Sequence, residues 1–279
     1  MNDCSLIGGA LMFIAKSFRE IDKSGVKLGE GVKAIHQVKL NVYSFYVDGV
    51  LIDCGAHSLR KQFQTFFEPL DIERVVITHA HEDHVGCAKY LSDKGIPIYM
   101  DPLNIEETAQ KAKYPIYRKI FWGIRPPIKA LPIEETFESK KYQWHTIATP
   151  GHAADHVAYL NTSTGQLFSG DLFVTPRTKL ILREENIPQL IRSIEKVMSY
   201  DFEEMFCCHA GYIKDGKRAF QMKLDYLNEL TYKVKSLAKE GKDVDEIKKI
   251  LFPRHYQLET VSRGEWHSKN IITSILSEL

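Results

Sequence analysis

The chain has 279 residues, 44% of them hydrophobic and 26% charged, a composition that fits a globular protein with a sizeable core and excludes a low-complexity or collagen-like chain. Its 37 basic residues against 36 acidic ones leave a formal net charge of +1, which argues against a general binder of nucleic acid or anionic membrane. Five cysteines (Cys4, Cys54, Cys87, Cys207 and Cys208) form no CxxC pair and predict a reducing compartment without a disulfide framework.

Leu6 to Ala15 is an apolar run too short to span a membrane. It lacks a positive flank before it and a small-x-small cleavage site after it, so a structured N-terminal element in a cytoplasmic protein is expected. Residues 6 to 24 read equally as helix or strand, and Gly25 to Gly31 as a turn region. From Val32 to Asp53 the pattern is strand-like, with Asp48-Gly49 as a hairpin turn before Val50-Leu51-Ile52. Ser58 to Leu70 reads as a helix stopped at Pro69.

Val75-Val76-Ile77 is a short β-branched run and reads as a buried strand. His79, His81, Asp83 and His84 follow directly. In an extended chain the first three share one side, and His84 points elsewhere. That division suits two adjacent metal ions better than one. Asp83 is expected to cap a helix from about His84 to Lys94, with Gly95 as its stop. Ile96 to Met100 reads as the next strand and residues 102 to 112 as a helix. Tyr114 to Pro132 is aromatic and proline-bearing without a clean period. It reads first as packing on the core, and second as a wall of a substrate site.

Tyr142 to Thr149, Val157 to Leu160 and Gln166 to Ser169 read as strands, and Asn186 as the cap of a helix through Met198. Met205 to Cys208 is a short strand ending at His209. Asp53, the 79–84 group, His152, Asp171 and His209 each follow a short apolar run, which predicts one shared site at strand ends. Beyond His209, Phe220, Leu224, Leu227, Leu230, Val234 and Leu237 recur at helical spacing. Asp243-x-x-Glu246 resembles a capping box, and Ile271 to Leu279 reads as a last amphipathic helix.

Val50 to Gly55, Thr78 to His84, Thr149-Pro150-Gly151-His152, Ser169-Gly170-Asp171 and His209, in this order, resemble the metallo-β-lactamase-fold superfamily of metallohydrolases, in its glyoxalase II and lactonase-like branch. The resemblance covers about residues 34 to 215. It implies an α/β fold, a four-layer αββα sandwich, assigned as a catalytic domain over residues 1–215; the helical spacing beyond it predicts a C-terminal helical extension over 216–279 packed on that domain. It also implies that His79, His81 and His152 hold a first metal, that Asp83, His84 and His209 hold a second, and that Asp171 bridges them. Imidazoles and carboxylates suit two zinc ions, with iron or manganese as substitutes. Asp83 and Asp171 are then the catalytic carboxylates, Asp83 steering protons. A hydroxide shared by the two metals is expected to attack an ester, thioester or lactone. The alternatives are a phosphodiesterase with the same metals and a mononuclear-iron sulfur dioxygenase.

Asp53 either fixes the tautomer of a ligand histidine or is satisfied by backbone. His36, His57, His145, His156, His255 and His267 read as structural by default, with His156, four residues after His152, the best candidate for a peripheral role. The basic clusters Lys214, Lys217, Arg218 and Arg177, Lys179, Arg183 read as solvated faces, with anion recognition as the alternative. The partner expected is a small-molecule substrate, with neither nucleic acid nor membrane. The oligomeric state is left open, a homodimer included.

Overall fold

The computed structural model describes residues 2–7, 10–35 and 37–278, with side chains from residue 14 onward; His36, Leu279 and the side chain of Cys4 lie outside the described residues. A first sheet takes β1 (Asn2–Ile7), β2 (Ala10–Lys23), β3 (Val26–Ile35), β4 (Val38–Val47), β5 (Val50–Ile52), β6 (Arg74–Val76), β7 (Ile98–Met100) and β8 (Leu131–Pro132) in sequence order. Its first five strands are antiparallel; β5 to β8 are parallel. The second sheet runs β15-β14-β12-β11-β10-β9, from β9 (Thr136–Glu138), β10 (Gln143–Ala148), β11 (Val157–Asn161), β12 (Gln166–Gly170), β14 (Glu204–Cys207) and β15 (Gly211–Ile213). A small ribbon pairs β13 (Ile181–Leu182) with β16 (Trp266–His267).

Alternation along the strands builds the layers. Val50 and Ile52 face the second sheet, where they join Phe45, Trp144, Phe168 and Phe206 in the central core. Leu51 points the other way, into a core shared with α1 (Arg60–Phe67), α2 (Ala88–Asp93) and α4 (Ile116–Trp122). On the far side, Leu160, Leu167, Met205 and Cys207 leave the second sheet to meet α5 (Ile187–Met198), α6 (Gly216–Lys239), α7 (Val244–Leu251) and α9 (Ser268–Leu276). The result is the expected αββα sandwich, with the C-terminal helices on the outer face of the second sheet.

Local departures from the sequence reading have physical causes. The segment read as a turn from Gly25 to Gly31 turns only at Ser24-Gly25 and continues as β3. Its glycines serve packing: a Cβ on Gly29 would lie 2.8 Å from Phe66 Cδ1, and one on Gly31 would lie 2.8 Å from Leu59 Cδ1. The ambiguous residues after Gly9 are strand β2, because β3 pairs with it along its length. The helix expected from His84 starts only at Ala88, and Asp83 does not cap it, since that carboxylate is turned toward the histidines. The helix expected over 102–112 is reduced to a 3-10 turn and α3 (Ile105–Thr108). The capping box at Asp243 and the Asn186 cap form as read.

Candidate metal centre

Parallel pairing of β5 with β6 and of β12 with β14 carries their C-terminal ends to the same edge of the sandwich. Two further bonds stitch the sheets together at that edge. Val157 N donates to Thr78 O at 2.8 Å, and Tyr43 N donates to Cys208 O at 2.8 Å. The loops bearing Asp53, residues 79–84, His152, Asp171 and His209 all leave from this rim.

The structure brings all seven sequence-selected residues into one cluster. His79 Nε2 lies 3.0 Å from His81 Nδ1, which lies 3.1 Å from His152 Nε2. On the other side, His209 Nε2 lies 3.5 Å from Asp83 Oδ2, and His84 Nε2 lies 3.8 Å from Asp83 Oδ1. Asp171 Oδ2 stands between the two sets, 3.5 Å from His152 Nε2, 3.6 Å from His84 Nε2 and 3.0 Å from His209 Nε2. His84 Nε2 and Asp171 Oδ1 are buried without a hydrogen-bond partner.

The surrounding residues fix which ring nitrogen faces inward. His84 Nδ1 donates to Asp53 Oδ2 at 2.8 Å, and Asp53 also accepts from Thr78 N, Thr78 Oγ1 and Cys208 Sγ. Asp53 therefore supports a site histidine rather than being satisfied by backbone alone. His152 Nδ1 donates to Glu185 Oε2 at 3.0 Å, and His209 Nδ1 donates to Asn41 O at 2.5 Å. His156 sits behind the cluster, where its Nε2 accepts from the Asp171 N–H at 3.0 Å. Gly170 makes this possible, because a Cβ there would lie 2.5 Å from His156 Nε2 and its φ is +50°. Asp155 Oδ2 accepts from Ala80 N at 2.8 Å and braces the loop between His79 and His81.

Electrostatics divide the histidines. Burial, helped by neighbouring imidazoles, pushes His79 and His81 well below the ordinary imidazole range, so both are neutral donors. Burial acts the same way on His84 and His209, but the carboxylates overcome it. Asp53, Asp171 and Asp83 hold His84 well above its usual value, and Asp171 and Asp83 lift His209 to about 9. Burial alone would raise Asp171; the His209 and His84 rings hold it well below the carboxylate range.

A cavity of about 310 Å³ opens onto the cluster. Phe121 and Trp122 from the 114–132 stretch line it, as do Leu258 and Trp266 from the C-terminal segment. The stretch that read first as packing therefore does both, since Phe121 and Trp122 are also buried in the core beside α1. Glu82, 1% exposed, is held by Arg118 through two 2.6 Å bonds, and Arg118 also reaches Glu265 at 3.2 Å. Of the two basic clusters flagged in the sequence, only Lys179 lines the cavity. The remaining described histidines have local partners, such as Gly86 O for His57 and Tyr200 for His145. Cys54, Cys87, Cys207 and Cys208 are free and buried.

Sequence reasoning missed Glu185, Asp155, Glu82, Arg118 and Asn41. Glu82 lies inside the candidate ligand motif and was within reach; Asn41 lies in a strand read correctly but acts through its backbone carbonyl, which no side-chain pattern marks, and the others meet the cluster only through the fold.

The family model for the metallo-beta-lactamase superfamily matches residues 39–209. The probable metallo-hydrolase YflN of Bacillus subtilis is 24% identical over 179 residues, 54% of this chain and 67% of that protein. The beta-lactamase-like protein 2 homolog of Drosophila melanogaster is 24% identical over 162 residues, 58% of this chain and 53% of that one. The chain thus spans between about half and two thirds of these relatives. Among solved structures, the metallo-beta-lactamase family protein TTHA1429 from Thermus thermophilus superposes with a TM-score of 0.63 at 16% identity, covering 95% of this chain and 91% of that one. The metallo-beta-lactamase FIM-1 from Pseudomonas aeruginosa, in its mono-zinc form, gives 0.60 at 16% identity, covering 77% and 95%.

Proposed function

Since the chain belongs to the metallo-beta-lactamase superfamily, we propose that it is a metal-dependent hydrolase of a small ester, thioester or lactone, holding two zinc ions in its seven-residue cluster. The observation that carries this reading is the division of the cluster into two donor sets joined by the single carboxylate of Asp171. The residues fit such a pair. His81 Nδ1 lies 3.0 Å from His79 Nε2 and 3.1 Å from His152 Nε2, and such lone pairs repel unless a cation or proton lies among them. The unpartnered His84 Nε2 and Asp171 Oδ1 ask for the same. His79, His81 and His152 would hold one ion, Asp83, His84 and His209 the other, and Asp171 both. When bound, the metals supply a nucleophile from water at neutral pH and polarise the oxygen under attack.

The chain's own residues do the rest. Asp53, Glu185 and the Asn41 carbonyl take the outward N–H of His84, His152 and His209, which leaves each Nε2 free to face the centre. His156 steadies the backbone of Asp171. Asp83 lines the cavity and is placed to carry a proton at its carboxylate toward the leaving group. The aromatic wall of Phe121, Trp122 and Trp266 suits an acyl chain and excludes water from it. The mono-zinc form of one structural neighbour supports zinc as the metal. Free, buried cysteines support a cytoplasmic setting, and no described helix is long and apolar enough to cross a membrane.

The test is a panel of aryl thioesters, lactones, aryl esters and aryl phosphodiesters, assayed before and after chelation. Turnover of an acyl substrate that chelation abolishes and added zinc restores is the expected result. Turnover of the phosphodiester alone, or turnover indifferent to chelation, would contradict the proposal.

A further inference from the structure

Two short elements build one side of the cavity above the candidate metal centre. Helix α4 lines it with Tyr117, Arg118, Phe121 and Trp122, and the C-terminal segment with Leu258 and Trp266. Arg118 clamps the two together, since its Nη1 donates to Glu265 Oε1 at 3.2 Å. Each element also carries an aliphatic side chain into solvent beside the wall it builds. Ile116, which precedes Tyr117, is 69% exposed. Val261 is 41% exposed and lies one turn beyond Leu258 on α8 (Gln257–Val261), on the same side of that helix.

Cations surround these two residues. Residues 109–132 hold six basic side chains and no acidic one, although the whole chain has a net charge of only +1. Two of the six are engaged within the protein: Arg118 by Glu82 and Glu265, and Arg125 by the carbonyls of Thr108, Gln110 and Glu107. Lys111, Lys113, Lys119 and Lys129 are exposed, as is Arg263, two residues past Val261. Among the described residues none of these five forms an ion pair. The fold gathers the charges. Lys119 follows Ile116 by one turn of α4, and the two share its outer face, away from the buried Phe121 and Trp122. The Arg118 guanidinium lies 5.7 Å from the centre of the Tyr114 ring, which holds the segment bearing Lys113 against α4. Arg125 Nη1 and the Ile128 N–H both donate to Thr108 O, at 2.9 and 3.0 Å, and so join the segments bearing Lys111 and Lys129.

We infer that the mouth of the cavity docks on an anionic phospholipid bilayer, with Ile116 and Val261 entering the interface and the free lysines and Arg263 on lipid phosphates. Aliphatic side chains set among unpaired cations match a surface that is charged outside and apolar beneath. A nucleic acid is matched less well, because the rings of this stretch turn inward. Phe121 and Trp122 are buried, and Tyr114 and Tyr117 are half-buried with their hydroxyls inside, so no ring projects freely for bases to stack on. A second copy of the chain would set like charges against each other. No described helix is long and apolar enough to cross a membrane, so the contact is peripheral. The net charge of the whole chain, from which no membrane partner is expected, averages this local excess away. Docking needs no metal and does not depend on the reaction proposed above.

Sedimentation with vesicles tests it. The purified protein is mixed with vesicles of phosphatidylcholine, alone or with about one third phosphatidylglycerol, in about 0.1 M and about 0.5 M salt. It should bind the mixed vesicles at least about tenfold more tightly than the neutral ones, and lose them at the higher salt. Lys113→Glu with Lys119→Glu should weaken binding by about tenfold or more. Lys239→Glu with Lys249→Glu, the same charge change at exposed positions of α6 and α7, should leave it within about twofold. Ile116→Ser with Val261→Ser should weaken it several-fold. All six positions are exposed, so each variant should keep the wild-type Tm. Equal sedimentation with both kinds of vesicle, equal loss in the two charge-reversed variants, or binding unchanged in the serine variant would overturn the docking. So would a preference for a single-stranded oligonucleotide over the mixed vesicles that Lys113→Glu with Lys119→Glu abolishes, which would assign the surface to a nucleic acid.

Discussion

Glu185 takes the Nδ1–H of His152 and so decides which nitrogen of that ring faces the cluster. Glu185→Ala should lower metal affinity and activity by about 10–100-fold with little change in Tm, read by metal titration and by turnover. An affinity equal to wild type would remove Glu185 from the site. Lys223 gives a residue-scale test of a different kind. Its folded pKa, about 8, lies below the ordinary lysine value, because burial disfavours the charged form. Between pH 8 and the unfolded value the unfolded chain binds more protons, so this residue's contribution to stability rises with pH there. Below pH 8 its cost is fully present. The stability of the wild type relative to Lys223→Met should therefore climb by about 3 kcal/mol from pH 7.5 toward pH 10.5, measured by urea unfolding. Parallel curves would contradict the burial of a charged amine. The candidate ligand residues were legible in the sequence because His79, His81, Asp83 and His84 fall together after a β-branched strand. Glu185 was not, because it meets His152 only through the fold, from within the charged run Arg183-Glu184-Glu185.

At the scale of elements, α4 and the C-terminal segment meet the ligand loop through one buried ion-pair network. Arg118 on α4 grips Glu82 in that loop with both ends of its guanidinium and reaches Glu265 near β16. Removing the cation leaves the Glu82 carboxylate buried and unpaired. Arg118→Met should therefore cost about 3–5 kcal/mol, seen as a fall in the urea midpoint at unchanged m-value. A loss under about 1 kcal/mol would mean that the pair is screened like a surface one. The same network explains why the 114–132 stretch resisted reading. Its order comes from Phe121 and Trp122 in the core and from Arg118 on a distant carboxylate, and neither contact has a sequence period. The strands were more legible, since Val50-Leu51-Ile52, Leu167-Phe168 and Met205-Phe206-Cys207 are short continuous apolar runs, and the structure buries both faces of each. Where a sequence cue failed, as at Gly29 and Gly31, the residue answers to a helix packed above the strand. Asp83 failed as a helix cap for a similar reason: its carboxylate belongs to the cluster.

For the whole molecule, two sheets back to back, the parallel pairs β5/β6 and β12/β14, and β10 running the same way as β12 across the antiparallel β11 set every candidate ligand on one rim. That convergence could be expected from five apolar runs that each end in a ligand-capable residue. The cavity above it could not, because its walls come from the 114–132 stretch, the loop after Asp171 and the C-terminal segment, which only the complete fold brings together. On the reading proposed above, the rim holds two metal ions joined by Asp171. Elemental analysis of the purified protein, with stoichiometry per chain, tests it most directly alongside Asp171→Ala. We predict about two zinc ions per wild-type chain, and at most one, without turnover, in a folded Asp171→Ala protein. A wild type that saturates at a single ion, or an Asp171→Ala variant that keeps both ions and full turnover, would contradict the account.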